Sequence, residues 1–248
     1  MIWCGALVVS RLTRTRLLNP KVVHTMSIVM NTDSSRRSIR LWQLISPALP
    51  VGAFHYSQGL EQAINRGWVN DVETTESWIA GLLERCIGSV DLPIICKVYD
   101  AWKAGDKEGV KEFDRLCRAC RETAELRDEE EQMGTALCDL AGELDETLPA
   151  EKMGFTAAFA VIAVNNQIPL EDALNGYAWA WCENQVLAAV KLVPLGHRMG
   201  QRILRDLGPV ISDAAANALQ CGAIGVTAPG FVIASASHET QYSRIFRS

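Results

Sequence analysis

The sequence predicts an all-α fold, a single-domain helical bundle of roughly eight to ten helices joined by short loops. Three observations carry that prediction. Apolar residues recur at helical spacing, most clearly in Trp78, Ile79, Leu82, Leu83, Cys86, Ile87 and Val90. No convincing strand ladder occurs anywhere in the chain. From Tyr177 to Val193 the chain is apolar on nearly every face, and such a helix has to be wrapped by other helices or by lipid. Glu183, Asn184 and Gln185 interrupt that run and leave no clean apolar span of about 20 residues, which makes it the central helix of a bundle.

The 248 residues, 48% apolar and 21% charged, suffice for a substantial core and suit a soluble globular protein. A net charge of −5 argues against nucleic acid as the main partner, since that needs a basic footprint. Eight cysteines are scattered singly apart from Cys117-Arg118-Ala119-Cys120, and with no secretory context they are expected reduced in a cytoplasmic protein. Structural zinc needs a second ligand pair, and none of His24, His55, His197 and His238 sits at ligand spacing beside Cys117 and Cys120. A redox CxxC follows a strand in a βαβ unit, and none is present, so these read as core or half-exposed thiols.

In chain order, residues 1–37 form an N-terminal extension outside the fold. The apolar MIWCGALVVS precedes its positive charges (Arg11, Arg14, Arg16, Lys21), the reverse of a signal peptide. A targeting tail, an arm, or sequence upstream of a start at Met26 or Met30 all fit, and the reading favours an extension without a role in folding. Residues 38–224 form the helical domain. Leu41, Trp42, Leu44 and Ile45 make a short helical turn ending at Ser46-Pro47, and SPALPVGAF is a stiff apolar loop to be packed by the body or a partner. Ser57 is read as the N-cap of a helix through Ala63 and Ile64 that Gly67 ends. Asp71 or Thr74 caps the Trp78–Val90 stripe, Pro93 breaks it, and a second segment runs to Gly105. Asp106 opens a helix through Val110, Phe113, Leu116 and Cys120.

The charge-dense Arg118–Glu131 run reads as a solvated helix face with i, i+4 pairs such as Glu122 with nearby arginines. The Asp128–Glu131 carboxylates point in different directions along a helix and make a poor metal site. Phe155–Val164 is a core helix ended by Asn165-Asn166, and Pro169 sits at the first turn of the central helix. Pro194 ends that helix, His197–Leu207 resumes, Gly208-Pro209 breaks it, and Ile211–Ala223 is a weak alanine-rich helix with Leu219 as its clearest anchor. Residues 225–248 form a tail with apolar teeth (Tyr242, Ile245, Phe246) and cations (Arg244, Arg247), mobile until docked.

Enzyme signatures are missing: there is no P-loop, HExxH, GxSxG or dinucleotide fingerprint. Glu183, Lys191 and His197 alone share a neighbourhood with acid, cation and base. Glu183 and Lys191 are about 12 Å apart along a straight helix, so a site there needs a substrate between them. The buried triplet either fixes helix register or lets Gln185, with Lys191, reach an interface or a polar channel. These residues favour an interaction protein over an enzyme.

Four segments together resemble the urease accessory protein UreF family: LWQLISPALPVGAFHYSQGLEQAI, RETAELRDEEEQMG, IPLEDALNGYAWAWCENQVLAAVKLVPLGHRMGQRIL and HETQYSRIFRS. They stand in the family's order and cover roughly residues 39–248; the extension falls outside the pattern, and His197 stands where the motif often has Gln. The resemblance implies an all-helical, homodimeric scaffold without catalysis of its own. It would bridge a UreD/UreH-type protein and the UreG-type GTPase and deliver nickel into apo-urease, modulating GTP hydrolysis. No cofactor would be bound by this chain itself, nickel and GTP being handled by the complex; neither nucleic acid nor membrane is a partner. Residue by residue, it implies Lys191 as the lysine facing the GTPase and Tyr56 and Arg244 on a surface completed when the tail folds back. Gln58, Glu61, Gln185, Tyr242, Phe246 and Arg247 complete the expected partner-binding set. The alternatives are a direct nickel carrier using Cys117, Cys120 and histidines, and an all-α enzyme at Glu183, Lys191 and His197.

Overall fold

The computed structural model describes residues 33–220, 223–225 and 228–248. The chain divides into two compact units, Met1–Arg36 and Arg37–Ser248. Of the first only residues 33–36 are described, and they are helical; the readings of MIWCGALVVS, Met26 and Met30 lie outside the described residues. All the regular secondary structure among the described residues is helical, with no strand: α1 (residues 33–44), α2 (Leu60–Asn65), α3 (Val72–Leu82), a π-helical stretch (Leu83–Asp91), α4 (Leu92–Lys103), α5 (Lys107–Ala119), α6 (Ala124–Glu143), α7 (Phe155–Asn165), α8 (Leu170–Leu192), α9 (Gly196–Gln220) and α10 (Pro229–His238).

Local chemistry sets many of the boundaries. Asp71 and Thr74 form a reciprocal capping box at the start of α3, the Asp106 carboxylate caps α5, and the Thr123 hydroxyl caps α6. Gly67 and Gly105, with φ of 73° and 77°, turn the chain out of α2 and α4. α8 is the central element: it packs along α9 and touches α2, α3, α4 and α7. α7 is buried almost all round, so its alanines let α4 and α6 approach closely. The tightest approach is at Gly134, where an added Cβ would lie 2.1 Å from the Met153 carbonyl oxygen.

Two expected breaks are absent. Pro93 does not interrupt the helix, because the π-helical stretch before it widens the turn: the Leu92 N–H bonds the Ile87 carbonyl, five residues back. The Ser89 carbonyl, four residues before Pro93 and so denied its usual donor, instead accepts the Gly225 N–H at 3.2 Å. Pro209 lies inside α9 on its exposed side, and the helix runs through it. The segment beyond it is anchored by Ile211, Ala214, Ala215 and Ala218, while Leu219 is exposed.

Nor is the charged run all solvated. Glu129 and Glu130 are buried and Arg121 is half-buried, since their partners come from other elements. The tail is not loose either: α10 occupies its first half, and the residues after it lie on the body.

Candidate functional site

The site is built where the tail returns to the loop before α2. That loop makes a 3-10 turn (Ala53–His55) and then two consecutive left-handed residues, Gln58 (φ 50°) and Gly59 (φ 76°). Gly59 permits the conformation and the contact: a Cβ there would sit 3.1 Å from the Ser235 backbone nitrogen of α10. Gln58 is strained by about 1 kcal/mol or more, offset by two side-chain bonds. Its amide nitrogen donates to Glu129 Oε1 at 2.7 Å and its carbonyl accepts from the Trp181 indole at 2.7 Å. Ser57 is not the N-cap of α2, which is Gly59; its hydroxyl accepts the Glu61 N–H and donates to the Ser248 carbonyl at 2.6 Å.

The turn aims the Glu61 carboxylate at the incoming tail. Glu61 accepts the backbone N–H of Ile245 at 2.8 Å and that of Phe246 at 2.9 Å. The Phe246 ring is 4% exposed, in a small core with Leu60, Ala63, Val69, Ala188, Ala189 and Val193. The Arg247 N–H donates to the His55 carbonyl at 2.8 Å, and its guanidinium and the Tyr56 hydroxyl both donate to Gln132 Oε1. Ser248 closes the tail: its carbonyl accepts the Ser57 N–H at 3.0 Å and its hydroxyl donates to Glu129 Oε2 at 2.8 Å. Arg244 reaches Glu125, whose other oxygen is 2.7 Å from Nδ1 of the fully buried His238. The Lys191 ammonium, on the exposed side of α8, stands 5.5 Å from the centre of the Phe246 ring.

Behind this socket lies a second polar cluster. Arg121 forks onto both oxygens of Asp91, at 2.7 and 3.0 Å, and also holds Glu130 at 2.6 Å. Tyr177 donates to Asp91 at 2.9 Å, while the Thr156 hydroxyl bonds Glu130 and Tyr177. A cavity of about 100 Å³ lies between the two clusters, lined among others by Gln58, Asp91, Arg121, Glu129, Glu130 and Trp181.

Burial shapes the charges. It pushes the Glu129 carboxyl up to about 7, against the opposing hydrogen bonds from Gln58 and Ser248. Burial likewise raises the Tyr56 hydroxyl, although Arg247 pulls it down. Burial works against the Arg121 charge, but Asp91, Cys117 and Glu130 overcome it and hold the guanidinium well above its usual range.

The structure therefore brings Tyr56, Gln58, Glu61, Arg244, Phe246 and Arg247 into one network, with Lys191 beside it. Tyr242 is fully exposed outside it. Gln185 corrects the expectation for it: it is 0% exposed, and neither amide atom has a protein partner among the described residues, so it faces the interior rather than a surface. Of its neighbours, Asn184 donates to the Tyr56 carbonyl at 3.1 Å, and Glu183 is half-buried with its carboxyl raised by burial. No hydrogen bond or ion pair among the described residues joins Glu183, Lys191 and His197, and His197 is exposed at the start of α9.

The carrier alternative meets similar chemistry. Cys117 is buried and its thiol is pushed well above its usual range, which disfavours the thiolate a metal needs. Among the described residues no group of three or more His, Cys, Asp or Glu is arranged to hold a metal ion.

Glu125, Glu129, Gln132, His238 and Ser248 were missed by sequence reasoning, as was the whole Asp91–Arg121–Glu130 cluster. The charged run that holds Glu125, Glu129 and Glu130 was the available signal, and it read as a solvated helix face.

Comparison with known proteins gives consistent matches. The sequence model of the UreF family matches residues 69–208. The chain is 43% identical over 230 residues to a urease accessory protein UreF of Alkalilimnicola ehrlichii, spanning 90% of this chain and 100% of that protein. It is 44% identical over 214 residues to the protein of that name from Marinobacter nauticus, 84% of this chain and 93% of the other. The Teredinibacter turnerae counterpart is 44% identical over 216 residues, 85% and 98% of the two chains.

Proposed function

Since this chain belongs to the UreF family of urease accessory proteins, we propose that it is a non-catalytic scaffold bridging a UreD/UreH-type protein and a UreG-type GTPase while nickel is delivered to apo-urease. The observation that supports this most directly is the tail socket. Six residues of the expected partner-binding set converge there, around a tail whose outer side leaves Tyr242 and Ile245 in solvent. An exposed apolar pair on a segment pinned by its other side is a surface suited to a protein partner. Lys191 borders the same surface and is the residue proposed to face the GTPase. Nickel and GTP are handled by the complex, the working unit is a homodimer, and the compartment is the cytoplasm. No helix among the described residues is long and apolar enough to cross a membrane.

The test is co-purification with the UreD-type protein, comparing the intact chain with one ending at Thr240. The intact chain is expected to be captured and the shortened one lost, with equal helical circular dichroism for both. Undiminished capture of the shortened chain refutes the role of the tail.

A further inference from the structure

Two polar side chains of the helical body belong neither to the tail socket nor to the Asp91–Arg121–Glu130 cluster, and both are left unsatisfied. Gln185 of α8 is 0% exposed, and neither its amide nitrogen nor its amide oxygen has a hydrogen-bond partner among the described residues. The indole N–H of Trp78 in α3 is buried and has none either. The only other buried side-chain atom so placed among the described residues is the Gln241 amide oxygen in the tail. A polar group shut away like this gives up its bonds to solvent and gains nothing in return, so each of the two calls for a partner.

The fold sets the two on facing helices, since α3 touches α8. On α8, Trp181 and Cys182 one turn before Gln185 and Ala188 and Ala189 one turn after it share its face. Trp78 packs against both neighbourhoods. It lies against the small core that contains Ala188 and Ala189, and against the core of Leu82, Leu126 and Phe231 that Trp181 also joins. Gln185 therefore occupies the turn of α8 that Trp78 lies across. That face is apolar enough for burial alone to push the Cys182 thiol up to about 12. The chemistry of the pair is complementary: an indole can only donate, and the Gln185 amide oxygen can accept. They do not bond each other, so one small molecule that both accepts and donates would satisfy the two together.

We propose that a buried water molecule bridges α3 and α8, accepting the Trp78 indole proton and donating a proton to the Gln185 amide oxygen. Water is the occupant because it supplies acceptor and donor on one atom and carries no charge into an apolar layer. It also has a way in: Trp78 lines an open groove with Trp68, Ser77 and Phe231. The position gives the bridge a task. The same stretch of α8 sends Trp181 to Gln58 and Asn184 to the Tyr56 carbonyl, and supplies Ala188 and Ala189 to the seat of Phe246. The water fixes that stretch against α3, so the platform beneath the tail is set by a solvent bridge. The inference rests on this chain alone and stands or falls apart from the partner reading.

The test is a crystal structure of the full chain that resolves ordered water, joined to urea unfolding of one variant. A water within about 3.2 Å of both Trp78 Nε1 and Gln185 Oε1 is expected. A direct bond between the two side chains, a water on only one of them, or a dry contact overturns the proposal. Gln185→Met puts an apolar chain of the same length in place of the amide, and the sign of its effect separates the readings. Where a water bonds the amide, the change removes satisfied bonds and strands the Trp78 N–H, so the folding equilibrium constant should fall by about fivefold or more. Where the amide is dry, the change removes an unsatisfied group and the constant should rise. An unchanged or raised constant overturns the proposal.

Discussion

Replacing Glu61 by Ala removes the acceptor on which the tail hangs. Glu61 accepts two backbone amides of the tail, Ile245 at 2.8 Å and Phe246 at 2.9 Å. Each bond to a charged acceptor is worth about 1.5–3 kcal/mol, so losing both removes about 3–6 kcal/mol from the closed state. These are net values that already include the solvation the carboxylate gives up on closure. The loss to global stability is smaller, since the tail can let go, and the cost is capped at the free energy of docking.

Hydrogen exchange of Ile245 and Phe246 reads the first quantity, and thermal unfolding by circular dichroism reads the second. Tail protection should fall by about a hundredfold or more, a factor of ten for each 1.4 kcal/mol. Helical content should stay unchanged, and capture by a UreD-type partner should weaken. Glu61→Gln, which keeps one acceptor oxygen, should fall between the two. If Glu61→Ala leaves protection of both amides within about threefold of the parent, the carboxylate does not hold the tail and the reasoning fails.

Three further changes probe other parts of the argument. Lys191→Ala forfeits a ring contact worth about 0.5–1 kcal/mol, so melting should barely move while urease activation in a reconstituted complex is lost; a large drop in melting temperature would make Lys191 structural. Arg121→Met strands the buried Asp91 and Glu130 carboxylates, at a cost of about 3–5 kcal/mol. Its melting temperature should drop by roughly 10 °C, and an unchanged one would show that the cluster is not a structural clamp. Gly134→Ala forces α6 and α7 apart at the Met153 carbonyl and should destabilise by about 1–3 kcal/mol; Gly142→Ala on the same helix, where nothing lies within 4 Å of the added Cβ, should not. Equal melting of the two variants would refute the close-approach argument.

The helices were legible because their signals are local. The Trp78–Val90 stripe, the Asp71 and Asp106 caps and the Gly67 and Gly105 terminators each lie within a few residues of what they determine. Pro93 and Pro209 were misread for the opposite reason. Whether a proline breaks a helix depends on where its orphaned carbonyl finds a partner, and for Pro93 that partner is Gly225.

The buried charges were illegible in the same way. Glu129 and Glu130 sit in a run that looks solvated until Gln58, Ser248, Arg121 and Thr156 arrive from elsewhere. Family resemblance implied that the tail meets the loop before α2 but not the bonds by which it does, and the residues left open whether Gln185 faces the interior or an interface.

The bonds between Ser57 and Ser248 span 191 positions of the chain. A nascent polypeptide therefore cannot finish this surface until residues 57 to 248 have all been translated and have cleared the ribosome. A product cut short before residue 245 would carry an open groove, with the Glu61 carboxylate bare and the apolar seat of Phe246 unfilled. Completion of the groove thus serves as a physical record that synthesis has run through residue 248. Any fusion placed directly on that segment would have to be accommodated beside Ser57 and Glu129.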